Sequence, residues 1–134
     1  MLQSIFNTLK LFMPKVAFYA VTHVVATRNA ISDAVVALVN ATGNGQLTLR
    51  TVADAEIATL TINTANSVGA TDLTFGDFLD DTNATGGTVD HLRIENNTGT
   101  EIFRFLPTDI TISSTVIGAG DTVQCSSLIY QPPA

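Results

Sequence analysis

Few side chains in this sequence have the type and spacing that chemistry requires. His23 and His91 are its two histidines. A metal centre needs several converging ligands, and neither histidine has an H-x-H or H-E-x-x-H partner. Within VDHLRIE the alternation gives His91 a surface position, whereas His23, inside an apolar run, reads as a packed or interface residue. Asp77, Asp80, Asp81 and Asn83 form the one dense acidic cluster. Hard oxygen ligands of this kind hold Ca²⁺, but their spacing departs from D-x-[DN]-x-[DN]-G, so a solvated loop is expected. Cys125 is the single cysteine, which rules out an internal disulfide and a cysteine-based zinc cluster. It alternates with Val123 and Ser127 and reads as a small core hydrophobe. No serine sits in a G-x-S-x-G elbow. Gly118-Ala119-Gly120 is a fragment of a dinucleotide fingerprint placed between strands, hence a turn. The expectation is a chain with no catalytic set, no metal and no cofactor.

Composition narrows the partners. Of 134 residues, 46% are hydrophobic and 13% charged, against a usual charged share of about 25%. So apolar a chain is not disordered, and its surface is poorer in charge than that of an ordinary free monomer. Roughly one residue in seven is Thr, a strand-favouring type that solubilises without charge. The formal net charge is −6 and the six basic residues are scattered, so the basic stripe that nucleic-acid binding demands is missing. A low-charge surface suits extended packing against other protein subunits.

The elements that must position these residues follow from periodicity. In RNAISDAVVALVN, Ile31, Ala34, Val35, Leu38 and Val39 recur at helical spacing, which predicts an amphipathic helix over 28–41. Thr27 or Asn29 is placed to cap its start and Gly43 or Gly45 to end it. Arg28 near the positive end of the helix dipole implies a partner elsewhere. After Gly45 the period becomes two. QLTLRT, EIATLTIN, DLTFGDF, VDHLRIE, EIFRF, DITISS and TVQCSSLIY read as strands, with His91, Arg93 and Glu95 facing outward and residues 76–88 a surface loop. Short alternating strands separated by turn residues predict an antiparallel β-sandwich or jelly roll preceded by one helix. Residues 27–134 then form a single domain behind an apolar N-terminal arm, 1–26.

That arm carries only Lys10 and Lys15 as charges. It has no basic residue before Lys10, and Pro14-Lys15 breaks its apolar run, which is not the pattern of a secretion signal. The run Val16–Ala26 is too short to span a bilayer. Leu2, Ile5, Phe6, Leu9 and Phe12 make one helical stripe, Pro14 ends it, and VAFYAVTHVVA, with Val16, Phe18 and Tyr19, is extended in character. An apolar stripe left in water aggregates, so these eight residues either pack on the chain's own core or, the reading favoured here because a terminus frays unless tied down, are the candidate binding surface for a neighbouring subunit.

The order RNAISDAVVALVN, GNGQLTLRT, AEIATLTIN, DHLRIENNTGTEIFRF and DITISSTVIGAGDTVQCSSLIYQPP resembles small decoration or cement proteins of tailed bacteriophages. The features matched are a short amphipathic helix, a strand–NTG–strand hairpin and a closing I-x-x-G-D-T-V strand ending in prolines, over about residues 28–133. The resemblance implies a non-enzymatic protein on the virion's capsid surface. Its partners would be the major capsid protein and further copies of itself, as homodimer or homotrimer, with no nucleic acid and no membrane. A carbohydrate- or receptor-binding sandwich module of a phage tail or fibre is the alternative, although the chain has no Trp and only Tyr19 and Tyr130 to stack on sugars.

Overall fold

A computed structural model describes residues 22–66 and 71–133. Among the described residues one helix, α1 (Val25–Val39), precedes eight strands. These are β1 (Gln46–Arg50), β2 (Glu56–Asn66), β3 (Leu73–Phe78), β4 (Gly87–Thr88), β5 (His91–Glu95), β6 (Glu101–Phe105), β7 (Val116–Ile117) and β8 (Ser127–Tyr130). All pair antiparallel, in a six-stranded sheet of order β6-β5-β1-β2-β3-β8 and a two-stranded ribbon β4-β7. The mainly β, antiparallel class with one preceding helix is as the alternation predicts.

The long strand β2 makes the sheet curl. Its first half pairs with β1, from Arg50↔Glu56 to Gln46↔Thr61. Its second half pairs with β3, from Ile62↔Phe78 to Asn66↔Thr74. The changeover falls at two successive residues, where Ile62 N donates to Gly45 O and Leu79 N donates to Thr61 O. A strand that belongs to two sheets in this way is how a β-sandwich turns its corner. The fold-over brings the two ends of the sheet together. Phe103 on β6 lies 4.9 Å from Tyr130 on β8 and 6.1 Å from Phe75 on β3, centroid to centroid.

Leu47, Leu49, Ala58, Leu60, Ile62, Leu73, Phe75, Leu92 and Ile94 are buried in one cluster with Val36 and Val39 of the helix. In β3 the alternation slips, so that Leu73, Phe75 and Phe78 are all buried. The slip coincides with Asp77, whose φ of +52° is left-handed. The helix meets the sheet over Gly45. A Cβ there would lie 2.3 Å from Val39 Cγ1 and 2.8 Å from the Glu95 carbonyl oxygen, so only glycine lets them approach this closely.

Several sequence expectations are corrected. The helix spans Val25–Val39, not 28–41, and takes in Val25 and Ala26, which the β-branched run assigns to an extended arm. Its N-cap is Val24 with no side-chain cap bond, so neither Thr27 nor Asn29 caps it. The buried stripe is Ser32, Val36 and Val39, about one residue out of phase with the expected one, and Leu38 is 53% exposed. Ser32 is tolerated in this stripe because its hydroxyl donates to Thr71 O at 3.3 Å, which satisfies a polar group in an apolar position. DITISS forms no strand; a 3-10 turn, Pro107–Asp109, takes in its first residue. Of TVQCSSLIY only the last four residues enter the sheet.

Residues 76–88 are not a free loop either. Gly76–Phe78 complete β3, and 81–89 run beside 115–123 through Asp81 N→Val123 O, Ala84 N→Asp121 O, Gly120 N→Ala84 O and Val89 N→Thr115 O. Thr85 N→Ile57 O ties this ribbon to β2. Gly86, at φ +87°, is the crossing point, where a Cβ would meet Ala119 N at 2.7 Å.

Candidate functional site

Charge in this molecule converges on one place. Cross-strand neighbours share a face of the sheet, and the register aligns Gln46↔Glu95, Thr48↔Arg93, Arg50↔His91 and Arg93↔Arg104. Three of the four described arginines therefore sit together on the β1-β5-β6 face opposite the apolar core. At its centre Glu95 is fully buried. Its Oε1 accepts from Thr48 Oγ1 at 3.0 Å, Arg50 Nη2 at 3.1 Å and Arg93 Nη1 at 3.3 Å, and its Oε2 from Gln46 Nε2 at 3.2 Å. Arg93 also pairs with Asp54 and, through Nε at 3.0 Å, with Glu101, while Arg104 grips Glu101 by two 2.7 Å bonds.

This overturns the outward placement of His91, Arg93 and Glu95. His91 is buried, with Nδ1 3.0 Å from Asp90 Oδ2 and Nε2 3.0 Å from Asp54 Oδ1. Arg93 is only partly exposed. Of the paired carboxylates only Glu95 is fully buried; the Asp54 and Glu101 side chains keep 49% and 29% of their surface exposed.

Burial by itself would raise the Asp54 carboxyl, but hydrogen bonds from His91 and Arg93 and the charges of Arg93 and Arg50 hold it below its ordinary range. The Arg104 guanidinium, with Arg93, does the same to Glu101 against a smaller cost of burial. A carboxylate whose pKa is depressed by folding contributes stability above its unfolded pKa and loses it as pH falls through the folded one. The melting temperature is thus expected to hold at neutral pH and to fall as pH is lowered from about 5 towards 2. In the double variant Asp54→Asn/Glu101→Gln the fall should be shallower; thermal melts followed by circular dichroism across that range test this.

The members of the cluster are engaged chiefly with one another, although Arg93 Nε, 3.0 Å from Glu101, makes no well-aligned hydrogen bond. Glu95, Asp54 and Glu101 each lie against at least one arginine, and Asp90 lies against His91. Among the described residues no group of three or more His, Cys, Asp or Glu side chains is arranged to hold a metal ion. The acidic run is dispersed: Asp81 accepts from the backbone N–H of Thr59 at 2.8 Å and of Asn83 at 2.9 Å, and Asp80 accepts from Gln124 Nε2 at 2.6 Å. Asp81 is therefore a structural acceptor, not a member of a solvated cluster. Cys125 is half-buried, packed at the edge of the core with Sγ 3.7 Å from Ser127 O, and burial pushes its thiol pKa up, away from nucleophilic use. Gly118-Ala119-Gly120 is a turn, with Gly118 N donating to Asp121 Oδ2 at 2.7 Å. His23 is half-buried with Nδ1 enclosed and unbonded. Arg28 finds the partners its position implied, donating to Pro132 O at 3.3 Å and lying 3.6 Å from Asp72. Leu2, Ile5, Phe6, Leu9, Phe12, Val16, Phe18 and Tyr19 lie outside the described residues.

A second feature had no signal in the sequence. Between the edge strands β6 and β8 lies a cavity of about 270 Å³, lined by Phe103, Phe105, Ile110, Leu128 and Tyr130, with Arg104, Asp109 and Gln131 among its polar groups. The lining comes from two separate segments, 103–110 and 128–131, and only the curl of the sheet brings them together.

The fold and these two features define a mainly β protein with an ion-paired polar face and an apolar seam. No known protein family matches the chain, and neither a curated protein nor a solved structure does.

Proposed function

We propose that the chain is a non-enzymatic structural protein that binds the outer surface of a bacteriophage capsid and stabilises adjacent major capsid subunits, as a decoration protein does. The observation that carries this reading is the contrast between its two parts. The first 26 residues hold two charges and a five-residue apolar stripe. The described body gathers Arg50, Arg93 and Arg104 with Asp54, Glu95, Glu101 and the buried His91 in pairs about β1, β5 and β6. Such pairing supports a scaffold role for the body, with the apolar segment before it as the part that attaches. Weak apolar contacts repeated across a lattice gain through multivalent attachment, and self-association into closed dimers or trimers is the usual arrangement for such subunits. No helix among the described residues is long and apolar enough to cross a membrane.

Cosedimentation with empty, expanded phage heads is the test. The full chain should pellet with the heads, and a chain lacking residues 1–15 should stay folded and pellet roughly ten- to a hundredfold more weakly, as one lost apolar contact set per copy predicts. Equal pelleting by both would remove the arm from the interaction; pelleting by neither would end the capsid reading.

The alternative, a glycan-binding module of a tail or fibre, draws on the Phe103, Phe105 and Tyr130 rings in the seam. Its cavity of about 270 Å³ is below the roughly 300–1,000 Å³ of most small-molecule sites, which ranks it second. Binding to a glycan array without binding to capsids would reverse the order.

A further inference from the structure

The two contacts of the His91 ring ask for more protons than a neutral imidazole holds. Nδ1 lies 3.0 Å from Asp90 Oδ2, and Nε2 lies 3.0 Å from Asp54 Oδ1. An ionised carboxylate only accepts, and a neutral imidazole has one N–H to give. Both contacts are therefore hydrogen bonds only while the ring carries two protons. His91 is 5% exposed, so little water reaches either nitrogen to stand in for a missing partner.

The charges around the ring suit an imidazolium. The β1 residue paired with His91 is Arg50, which also reaches Glu56 at the start of β2. Further along the same face Glu95 lies between Arg50 and Arg93, and β6 brings Glu101 with Arg104. With Asp54 and Asp90, five carboxylates meet three arginines, and a second ring proton offsets part of that difference. Among the described residues Asp90 has His91 as its one ion-pair partner.

The contact at Nε2 holds a turn. Between β1 and β2, residues 51–55 close through Asp54 N→Thr51 O at 2.9 Å and Ala55 N→Thr51 Oγ1 at 3.1 Å, and Val52 stands 83% exposed at the tip. Asp54 sits there at φ +67°, a left-handed conformation uncommon outside glycine. Its carboxylate is fastened to β5 by His91 and Arg93. When the ring has a single proton, the two carboxylates compete for it. Asp54 keeps Arg93, whereas Asp90 has only the ring, so the proton stays on Nδ1 and Nε2 faces Asp54 without a donor.

We propose that His91 is a proton-operated latch on the β1–β2 turn. The doubly protonated ring holds Asp54, and with it the tip at Val52, against β5; loss of the Nε2 proton sets a lone pair against the carboxylate and loosens the tip. The latch closes on the acid side of the ring's titration and opens on the alkaline side. It goes beyond the capsid reading and does not depend on it, since attachment is assigned to the arm.

Nuclear magnetic resonance of the full-length chain between about pH 5 and 9, where ordinary carboxylates are ionised and histidine titrates, tests the latch. Long-range proton–nitrogen correlation spectra read both ring nitrogens, and His91→Gln separates the His91 signals from those of His23. Both His91 nitrogens should be protonated at the acid end, and Nε2 alone should lose its proton as pH rises. Over the same step, exchange of the Asp54 and Ala55 amides, relative to each amide's intrinsic rate, should speed roughly three- to tenfold, as the loss of one net hydrogen bond predicts. The amides of β2 should not respond. Asp90→Asn, at a side chain 48% exposed, removes the competing carboxylate and offers an amide N–H to Nδ1. The single proton then stays on Nε2, and the turn should no longer follow pH. A ring neutral at the acid end, loss of the proton from Nδ1 instead, a turn whose relative exchange stays flat across the range, or a response that survives in Asp90→Asn overturns the proposal.

Discussion

Glu95→Ala is expected to lower the free energy of unfolding by about 3–5 kcal/mol, the range for removing one partner of a buried ion pair. Glu95 is fully buried and accepts from four side chains, two of them arginines. Its loss leaves the Thr48 hydroxyl, itself fully buried, facing two guanidinium groups with no anion between them. Arg93 retains Asp54 and Glu101, and Arg50 retains Glu56 at 3.7 Å, which keeps the cost from rising further. Glu95→Gln preserves an acceptor oxygen and should cost less than Glu95→Ala. Against a total stability of about 5–15 kcal/mol for a domain of this size, the alanine variant stands near the threshold of folding. Urea unfolding followed by far-ultraviolet circular dichroism measures both. A loss below about 1 kcal/mol for Glu95→Ala would place the carboxylate in solvent, where ion pairs are worth that little.

The strand pattern HLRIE shows how far alternation reaches and where it stops. Period two correctly puts Leu92 and Ile94 on one side and His91, Arg93 and Glu95 on the other. It does not say what covers the second side. The cover is Arg50 and Thr48, more than forty residues earlier, and Asp54 in the β1–β2 turn. That juxtaposition depends on β1 lying between β2 and β5, a pairing that no local signal specifies. The helix fails differently. Its length and amphipathic character are legible, but Ser32 in the core and Leu38 in solvent invert the polarity rule at two positions, and the stripe is displaced.

The C-terminal third was least legible, because its order does not come from strand periodicity. Residues 115–123 are held by bonds to 81–89 and by side chains such as Asp121 on Gly118 N, so DITISS has strand-favouring residues without a strand partner. The same holds for the seam. Phe103 and Phe105 read as an alternating pair, and Tyr130 as the end of a strand. Only the halfway exchange of partners along β2 sets Phe103 against Tyr130, and with it the cavity between the sheet's two edges.

Phe75→Ala probes that exchange directly and carries the second large effect. Phe75 is fully buried, and its ring, 6.1 Å from Phe103, links β3 in one half of the sheet to β6 in the other. Removing it deletes the ring's own burial and leaves a cavity that rigid strands close only partly, at about 3–5 kcal/mol for a Phe→Ala change in a packed core. Phe75→Leu, which keeps most of the volume, should cost roughly half as much or less. Because the chain has no Trp, near-ultraviolet circular dichroism reports Tyr and Phe alone, and the band from Tyr130, which packs on Phe103, should weaken in Phe75→Ala at temperatures where the far-ultraviolet spectrum is unchanged. Val52→Ala, at a site 83% exposed, is the control and should stay within about 0.5 kcal/mol of wild type. If Phe75→Ala cost no more than that control, the two halves of the sheet would not be packed on one another, and the seam between β6 and β8 would have no floor.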